Sequence, residues 1–506
     1  MLAAVAKSLD PDRAHPERVT WALVGISVLF FVGLAIGVSV GVRGEDLVEL
    51  ILALVTAALS LLPLVLDQAR RPSERHVLLS VFALVFILGF VLPVFVIFIP
   101  AQGPEDAPSY SFSALYPVDI IRGQLSTILG LVCLLIGYAS PAGRALTAFL
   151  PRFRRDWPPP AALAVAILMI PFGWSILLSG LFGLNLASLG SGFYSVFGSS
   201  YVYGIALLSI VYARHKSPTA LLMLFVVVPI TSFFGLFTGS KTAVLIAGAM
   251  VVLSIILVQR RIRARWLVLG ALTATFIFPV TMFVRADILQ QNTLSAADAL
   301  RNPGATLTRV AAFMTTSKPE EYFMDGLLAV VGRMDCIGAA SVLIRDTPGV
   351  APFQNGRTLG LFFVAFIPRA IWPNKPTITI GRYITDVYGS GPEIDSSTAP
   401  TQLGELFINF GYPGIIGGML FYGIALRIAH ELLLRGRPTT PALFAAVVII
   451  LHLGTGFQGD TANNWAVTLI SLVPIIFAHV AVTTLFPTRQ RPLAGFEPSS
   501  GNPAID

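Results

Sequence analysis

The chain has 506 residues, of which 55% are apolar and only 12% charged, with a formal net charge of +7 and a mean hydropathy of +0.78. A soluble globular domain carries about 25% charged residues, so one soluble core of this size is excluded, as are disordered, coiled-coil, fibrous and disulfide-stapled chains. The composition is that of an all-α polytopic membrane protein. Two cysteines, Cys133 in an apolar run and Cys336 in a polar region, are too few for a disulfide framework or a thiolate metal site and read as small packing residues.

The first nineteen residues are polar and mixed in charge, and the apolar run from Thr20 is long enough to span, so no cleavable signal peptide is expected. A spanning helix needs about 20 mostly apolar residues. That ruler predicts about twelve spans: 20–41, 47–66, 77–100, 118–139, 160–181, 196–213, 218–236, 242–259, 266–284, 403–426, 441–457 and 464–486. The sixth, with Ser199, Ser200, Tyr201 and Tyr203, and the eleventh, short and holding His452, are the weakest. Loss of either shifts the topology by one. The expected organisation is nine spans with short loops over 1–284, a large outer loop over 285–402, three spans over 403–486 and a tail over 487–506.

Charge placement sets the orientation. With both termini cytoplasmic, the inner segments hold twenty-one of the 34 Lys and Arg, while the short outer ones hold only Arg43, Arg122 and Lys241. This is the positive-inside pattern. The remaining ten lie in the 285–402 loop, which is long enough to escape that rule and neutral overall, with ten acids against them. The +7 therefore reports topology and anchoring at the inner leaflet rather than nucleic-acid binding.

The long loop is the expected functional region, because loops of this length are uncommon unless they carry function or fold on their own. Glu320 to Asp346 reads as an amphipathic helix, with Phe323, Leu327, Val330, Met334 and Ile337 at helical spacing. Gly360 to Ile371 (GLFFVAFIPRAI) is apolar but too short to cross, so it is expected along the interface. Ile371–Tyr383 (IWPNKPTITIGRY) is turn-rich and irregular. Arginines beside such apolar segments are the notable cations, since a guanidinium grips phosphate in two places and stays charged near lipid.

Several chemistries are excluded. There is no HExxH, no phosphate-cradling GxxxxGK[ST] and no Cys/His cluster at metal spacing. Gly239-Ser240-Lys241-Thr242 resembles the end of a P-loop but lacks the leading glycine and lies on the outer side. Lys241 there reads as an anchor at the membrane surface or, with the helix N-terminus, as a holder of an anion. Ionisable residues within spans are His452, His479 and, near a span start, Glu405. The string of carboxylates that marks a proton-coupled transporter is missing.

Three stretches carry a family resemblance: GSKTAVL (239–245), IPRAIWPNKP (367–376) and SSTAPTQLGELFINFGYPGIIGG (396–418), which runs through Gly404-Glu405 into Asn409-Phe410-Gly411. With the twelve spans and the late outer loop, the chain resembles the bacterial O-antigen polymerases of the Wzy type, the oligosaccharide repeat-unit polymerases. The resemblance covers residues 239–436, and the first 230 residues match by hydropathy alone. It implies a metal-independent GT-C-like glycosyltransferase without cofactor, related in architecture to O-antigen ligases. The implied substrates are glycans on undecaprenyl pyrophosphate, joined on the periplasmic face of the bacterial inner membrane, with membrane lipids and a chain-length regulator as partners.

Of the residues expected to do this, Lys241, Arg369, Lys375 and Glu405 lie in the matching stretches, and Arg333, Arg382 and His452 lie outside them. Arg369 is the first choice for the pyrophosphate, then Arg333 on the loop helix and Lys241, with Lys375 and Arg382 behind. Glu405 is the expected base or acceptor-orienting carboxylate, and His452 the reserve base. Asp335, two residues from Arg333, orients that arginine or faces water. An O-antigen ligase and a lipid-linked oligosaccharide transporter or flippase remain as alternatives, the latter disfavoured because no repeat relates spans 1–6 to 7–12.

Overall fold

The computed structural model describes residues 24–28, 30–35, 42, 44–96, 115–179, 197–237, 240–285, 299, 302–316, 318–367, 371–376, 379–389 and 398–486. Among the described residues every regular element is helical, and ten helices are long and apolar enough to cross a membrane. The chain is a multi-pass helical membrane protein.

The first half comprises α1 (Glu45–Ala69), α2 (Val77–Phe86, continuing through a π turn at Ile87–Val91), α3 (Pro117–Ala139), α4 (Pro159–Ser179), α5 (Ser200–His215), α6 (Pro218–Phe237), α7 (Lys241–Gln259) and α8 (Ala264–Phe283). The long loop holds α9 (Pro303–Thr316), α10 (Pro319–Arg333), α11 (Cys336–Asp346), α12 (Arg357–Ala365) and α13 (Gly381–Tyr388). Then come α14 (Gln402–Ala429), α15 (Thr440–Thr455) and α16 (Thr461–Leu485).

The ten long helices match ten of the twelve expected spans. The first expected span is described only in part, as an apolar helix at Val24–Ala35. The sixth is α5, whose 16 residues fall short of a bilayer's hydrocarbon thickness. Its residues from Ser200 to Val211 are all buried, so it is lined by protein rather than lipid and needs no lipid-length apolar surface. The other weak candidate, now Thr440–Gln458, is 82% buried, against 28% for Ala264–Phe283. α5 and α15 are thus the interior of the bundle, and α8 turns Leu267, Val268 and Phe276 outward.

The segments expected on one side of the membrane meet at one end. Arg214 pairs with Asp156 at 2.9 Å, and Asp156 also accepts from Thr440 N at 2.6 Å. Arg75 donates to the Arg260 carbonyl, and Arg260 reaches the carbonyls of Ser73, Leu434 and Gly436. Buried Arg427 and Glu431 pair at 2.7 Å, with Arg144 and Arg435 on the same carboxylate. This is the basic end. The loop helices gather at the other, the loop end: Tyr322 of α10 donates to the Phe276 carbonyl of α8, and α12 packs on α14 and α16.

Two loop expectations are corrected. Residues 320–346 are not one surface helix. The axis bends by 40° between Arg333 and Cys336, because Asp335 Oδ1 accepts from Gly338 N and starts a new helix there. Asp335 therefore caps α11 instead of orienting Arg333 or facing water. α11 is buried from Cys336 to Ile344, so Cys336 belongs to the core, beside Gly89 and Phe457. Helical periodicity is the same on an interface and in a core, so only the packing separates the two.

α3 and α14 form the tightest helix pair. Gly137 lies against the Leu420 carbonyl and Gly423 against the Leu134 carbonyl, and a Cβ at either would enter the other backbone. Small residues permit this approach, which maximises van der Waals contact where water cannot drive association.

Candidate functional site

α14 is two helices in series. Thr401, in the left-handed region at φ 62°, caps the first by accepting from Gly404 N at 3.0 Å. Gly411 breaks the helix at φ 63°, ψ −147°, a conformation suited to glycine, and Pro413 follows without an N–H. The carbonyls freed by the break are taken by the loop: Ile408 accepts from Gln354 N at 2.8 Å and Asn409 from Asn355 N at 3.1 Å. The buried Asn409 side chain donates to Thr358 Oγ1 at 2.7 Å and to the Glu405 carbonyl at 2.8 Å, and accepts from Gly356 N. The segment 354–358 is thereby fixed to the half-helix that carries Glu405.

Glu405 has no solvent exposure. Its Oε2 accepts from Thr461 N, the first residue of α16, where the helix dipole favours an anion. Among the described residues its Oε1 meets no partner in hydrogen-bonding geometry, and neither do the buried Tyr422 hydroxyl, Thr461 Oγ1 and Trp465 Nε1, although Thr358 and Thr461 stand near the carboxyl and Thr461 and Trp465 near the hydroxyl. Each buried polar atom left so costs on the order of 1–3 kcal/mol. Tyr422 stands beside Thr461, Glu405 and Trp465, so these polar atoms form one buried cluster between α14 and α16.

A second carboxylate adjoins it. Asp460, the N-cap residue of α16, accepts from Ile380 N at 3.3 Å through Oδ2. Burial pushes its carboxyl up to about 6. The Asp460 and Glu405 charges oppose each other, so the start of α16 holds two carboxyl groups of which one is poised to exchange a proton near neutral pH. The turn before α16 ties the parts together: Thr401 N donates to the Gln458 carbonyl at 2.9 Å, and Gln458 Nε2 donates to the Arg333 carbonyl at 2.7 Å.

Arg333 ends α10 beside two more cations. Lys241 opens α7, where Ser240 Oγ caps the helix by accepting from Ala243 N, and its ammonium lies 4.8 Å from the centre of the Phe278 ring. Arg333 and Arg285 both repel Lys241. Among the described residues none of the three forms an ion pair. Three like charges gathered without a carboxylate raise the local potential and suit an anion.

The other expected residues are placed as follows. Arg369 lies outside the described residues. Lys375 is buried, its ammonium donating to the carbonyls of Ile367 at 2.8 Å and Ala365 at 3.4 Å, so it closes the end of α12. Arg382 pairs with Asp386 at 2.8 Å on the exposed face of α13. His452 contacts Tyr203 Oη at 2.8 Å and Ser471 Oγ at 3.1 Å. Ser471 lies ten residues past Thr461 on α16, roughly 15 Å deeper, so His452 is remote from the Glu405 cluster. The structure brings together Glu405, Arg333 and Lys241 at the loop end. It adds Gln458, Asp460 and Thr461, which the polar run GFQGDTANN (456–464) between two apolar spans signals, and Tyr422 and Arg285, which lie outside that run.

The fold and site define a multi-pass helical membrane protein with a cation cluster and a buried carboxylate pair at one end. The chain belongs to the DUF8712 family, described as a domain of unknown function, whose match covers residues 122–478. That span runs from within α3 into α16 and includes the carboxylate pair and all three cations. None of the curated proteins and none of the solved structures matches the chain.

Proposed function

We propose that the chain is a glycosyltransferase that polymerises oligosaccharide repeat units carried on undecaprenyl pyrophosphate, working at the loop end. This end faces the periplasm in this reading, with the basic end at the cytoplasmic side of the bacterial inner membrane. The observation that carries it is the trio Lys241, Arg285 and Arg333, without an ion pair among the described residues, attached through Gln458 to the turn that carries Asp460 and leads into Thr461, on which Glu405 closes. A lipid pyrophosphate is the kind of anion a membrane-surface cation cluster selects, and the sequence resemblance supplies the glycan.

In this reaction the acceptor sugar hydroxyl attacks the anomeric carbon of the donor, a C–O bond forms, and the bond to the pyrophosphate oxygen breaks. The leaving pyrophosphate carries off the bonding electrons, and the three cations stabilise the charge that grows on it. The hydroxyl proton passes to a carboxylate. Asp460, whose Oδ1 accepts no hydrogen bond, takes this role. Glu405, closed off beneath Thr461, positions the start of α16, on which Asp460 sits.

The test is reconstitution of the full chain with lipid-linked repeat unit alone, read as a glycan ladder. The ladder is expected with the natural chain and lost with Arg333→Gln at unchanged protein level; absence of any new glycosidic bond refutes the reading, and transfer only on addition of a lipid A core acceptor replaces it with a ligase. The rate is expected to rise as pH passes upward through about 6, where Asp460 loses its proton. Asp460→Asn is expected to abolish turnover across that range.

A further inference from the structure

At the basic end, opposite the carboxylate cluster, the α7–α8 connection folds over a cavity of about 820 Å³. Five arginines line it, Arg75, Arg260, Arg261, Arg263 and Arg265, against a single carboxylate, Asp67. These charges are not equivalent. Arg75 and Arg260 build the wall: Arg75 donates to the carbonyls of Asp67 and Arg260, and Arg260 to those of Ser73, Leu434 and Gly436. Asp67 is saturated, accepting from His76 N at 2.8 Å, Ser80 Oγ at 2.7 Å and Arg70 at 3.1 Å. Its charge is answered by Arg70 before it can answer the cavity.

The other three arginines have no such partner. Among the described residues Arg261, Arg263 and Arg265 form no ion pair, and Arg263 Nε is buried without a hydrogen bond. Arg265 stands 5.3 Å over the Trp266 ring, which fixes its direction without neutralising it. Arg263 is also the N-cap residue of the 20-residue α8, and no side chain caps that end. The free N–H groups and the positive pole of α8 therefore open at the same place as three uncompensated guanidinium groups. Guanidinium and helix N-terminus share one preferred ligand, the tetrahedral oxyanion.

We propose that this cavity binds a phosphate-bearing anion, gripped by Arg261, Arg263 and Arg265 at the N-terminus of α8. The phosphate belongs either to an anionic lipid headgroup, whose chains lie along the apolar residues Leu64 and Ile262 that also line the cavity, or to a soluble phosphate. The site is independent of the glycosyl-transfer reading and lies at the other end of the bundle from it.

The experiment places the full-length chain in nanodiscs and follows its melting midpoint. One arm compares phosphatidylcholine alone with phosphatidylcholine plus phosphatidylglycerol; the other adds millimolar inorganic phosphate or pyrophosphate to the phosphatidylcholine discs. A ligand that binds only the folded chain raises the midpoint. A rise of several degrees is expected in at least one arm, and the arm that shows it identifies the source. At least half of that rise is expected to vanish in Arg261→Gln/Arg265→Gln, whose residues are exposed and replaceable without unfolding, and in Arg263→Gln. The control is Arg152→Gln/Arg154→Gln/Arg155→Gln, a basic run of similar charge on the surface of the same end, which is expected to keep the rise. No rise in either arm, a rise untouched by the α8 substitutions, or an equal loss in the control overturns the site.

Discussion

Outside the cavity lined by Arg261, Arg263 and Arg265, the basic end uses charge in the opposite way to the loop end. At the basic end, buried Arg427 and Glu431 neutralise each other, and Arg260 spends its guanidinium on four carbonyls from two other segments. At the loop end, Arg285 and Arg333 repel Lys241 with no ion pair to any of the three among the described residues, and Glu405 leaves one oxygen without a partner there. Saturated polar networks rigidify a fold, whereas uncompensated ones cost stability and persist where a ligand completes them. The difference separates charge that assembles the bundle from charge that acts.

Substitutions at the two ends should therefore diverge. The largest effect is expected from Arg427→Ala, which takes away the buried partner of Glu431 and leaves its carboxylate only the exposed Arg144 and Arg435, and is expected to cost about 3–5 kcal/mol. A monodisperse, membrane-extracted peak at natural yield would break the comparison. Lys241→Gln is expected to do the reverse: stability stays level or rises as repulsion is relieved, while turnover falls about 100-fold, in line with loss of one transition-state donor. Thermal melting and ladder formation, measured on the same preparation, check both halves. The smallest effect is expected from Arg382→Gln. Its ion pair with Asp386 is exposed, so stability should change by less than about 1 kcal/mol and turnover not at all. A strong loss of activity there would extend the active cations beyond the trio.

Much of this was readable from residue types. Apolar run length located ten spans, and the skew of Arg and Lys grouped the connections that meet at the basic end. Lys241 stood out as a rare cation on a short outer connection, Glu405 as a carboxylate at a span start. What was hidden depends on tertiary contact. Arg285 follows a span as one of ten basic residues in the loop, and nothing in its neighbours shows that α7 and α10 deliver Lys241 and Arg333 to it. Asp460 sits in a turn that reads as a mere connection until Ile380 covers it. Lys375 carries the sequence of a phosphate ligand, and only the curl of the chain back to Ala365 and Ile367 turns its ammonium inward. The burial of α11 and the shortness of α5 escaped for one reason: hydropathy separates apolar from polar surface but not lipid from protein.

The break at Gly411 divides α14 mechanically. From Tyr412 onward the helix is clasped to α3 through Gly423 and Gly137, with no side chain between the two backbones to act as a bearing, so that part is a fixed beam. The arm from Gln402 to Phe410 joins the beam only at a glycine, and its freed carbonyls are held by Gln354 and Asn355. The loop thus serves α14 as a latch: residues 354–358 hold the arm that carries Glu405 and, through it, the start of α16.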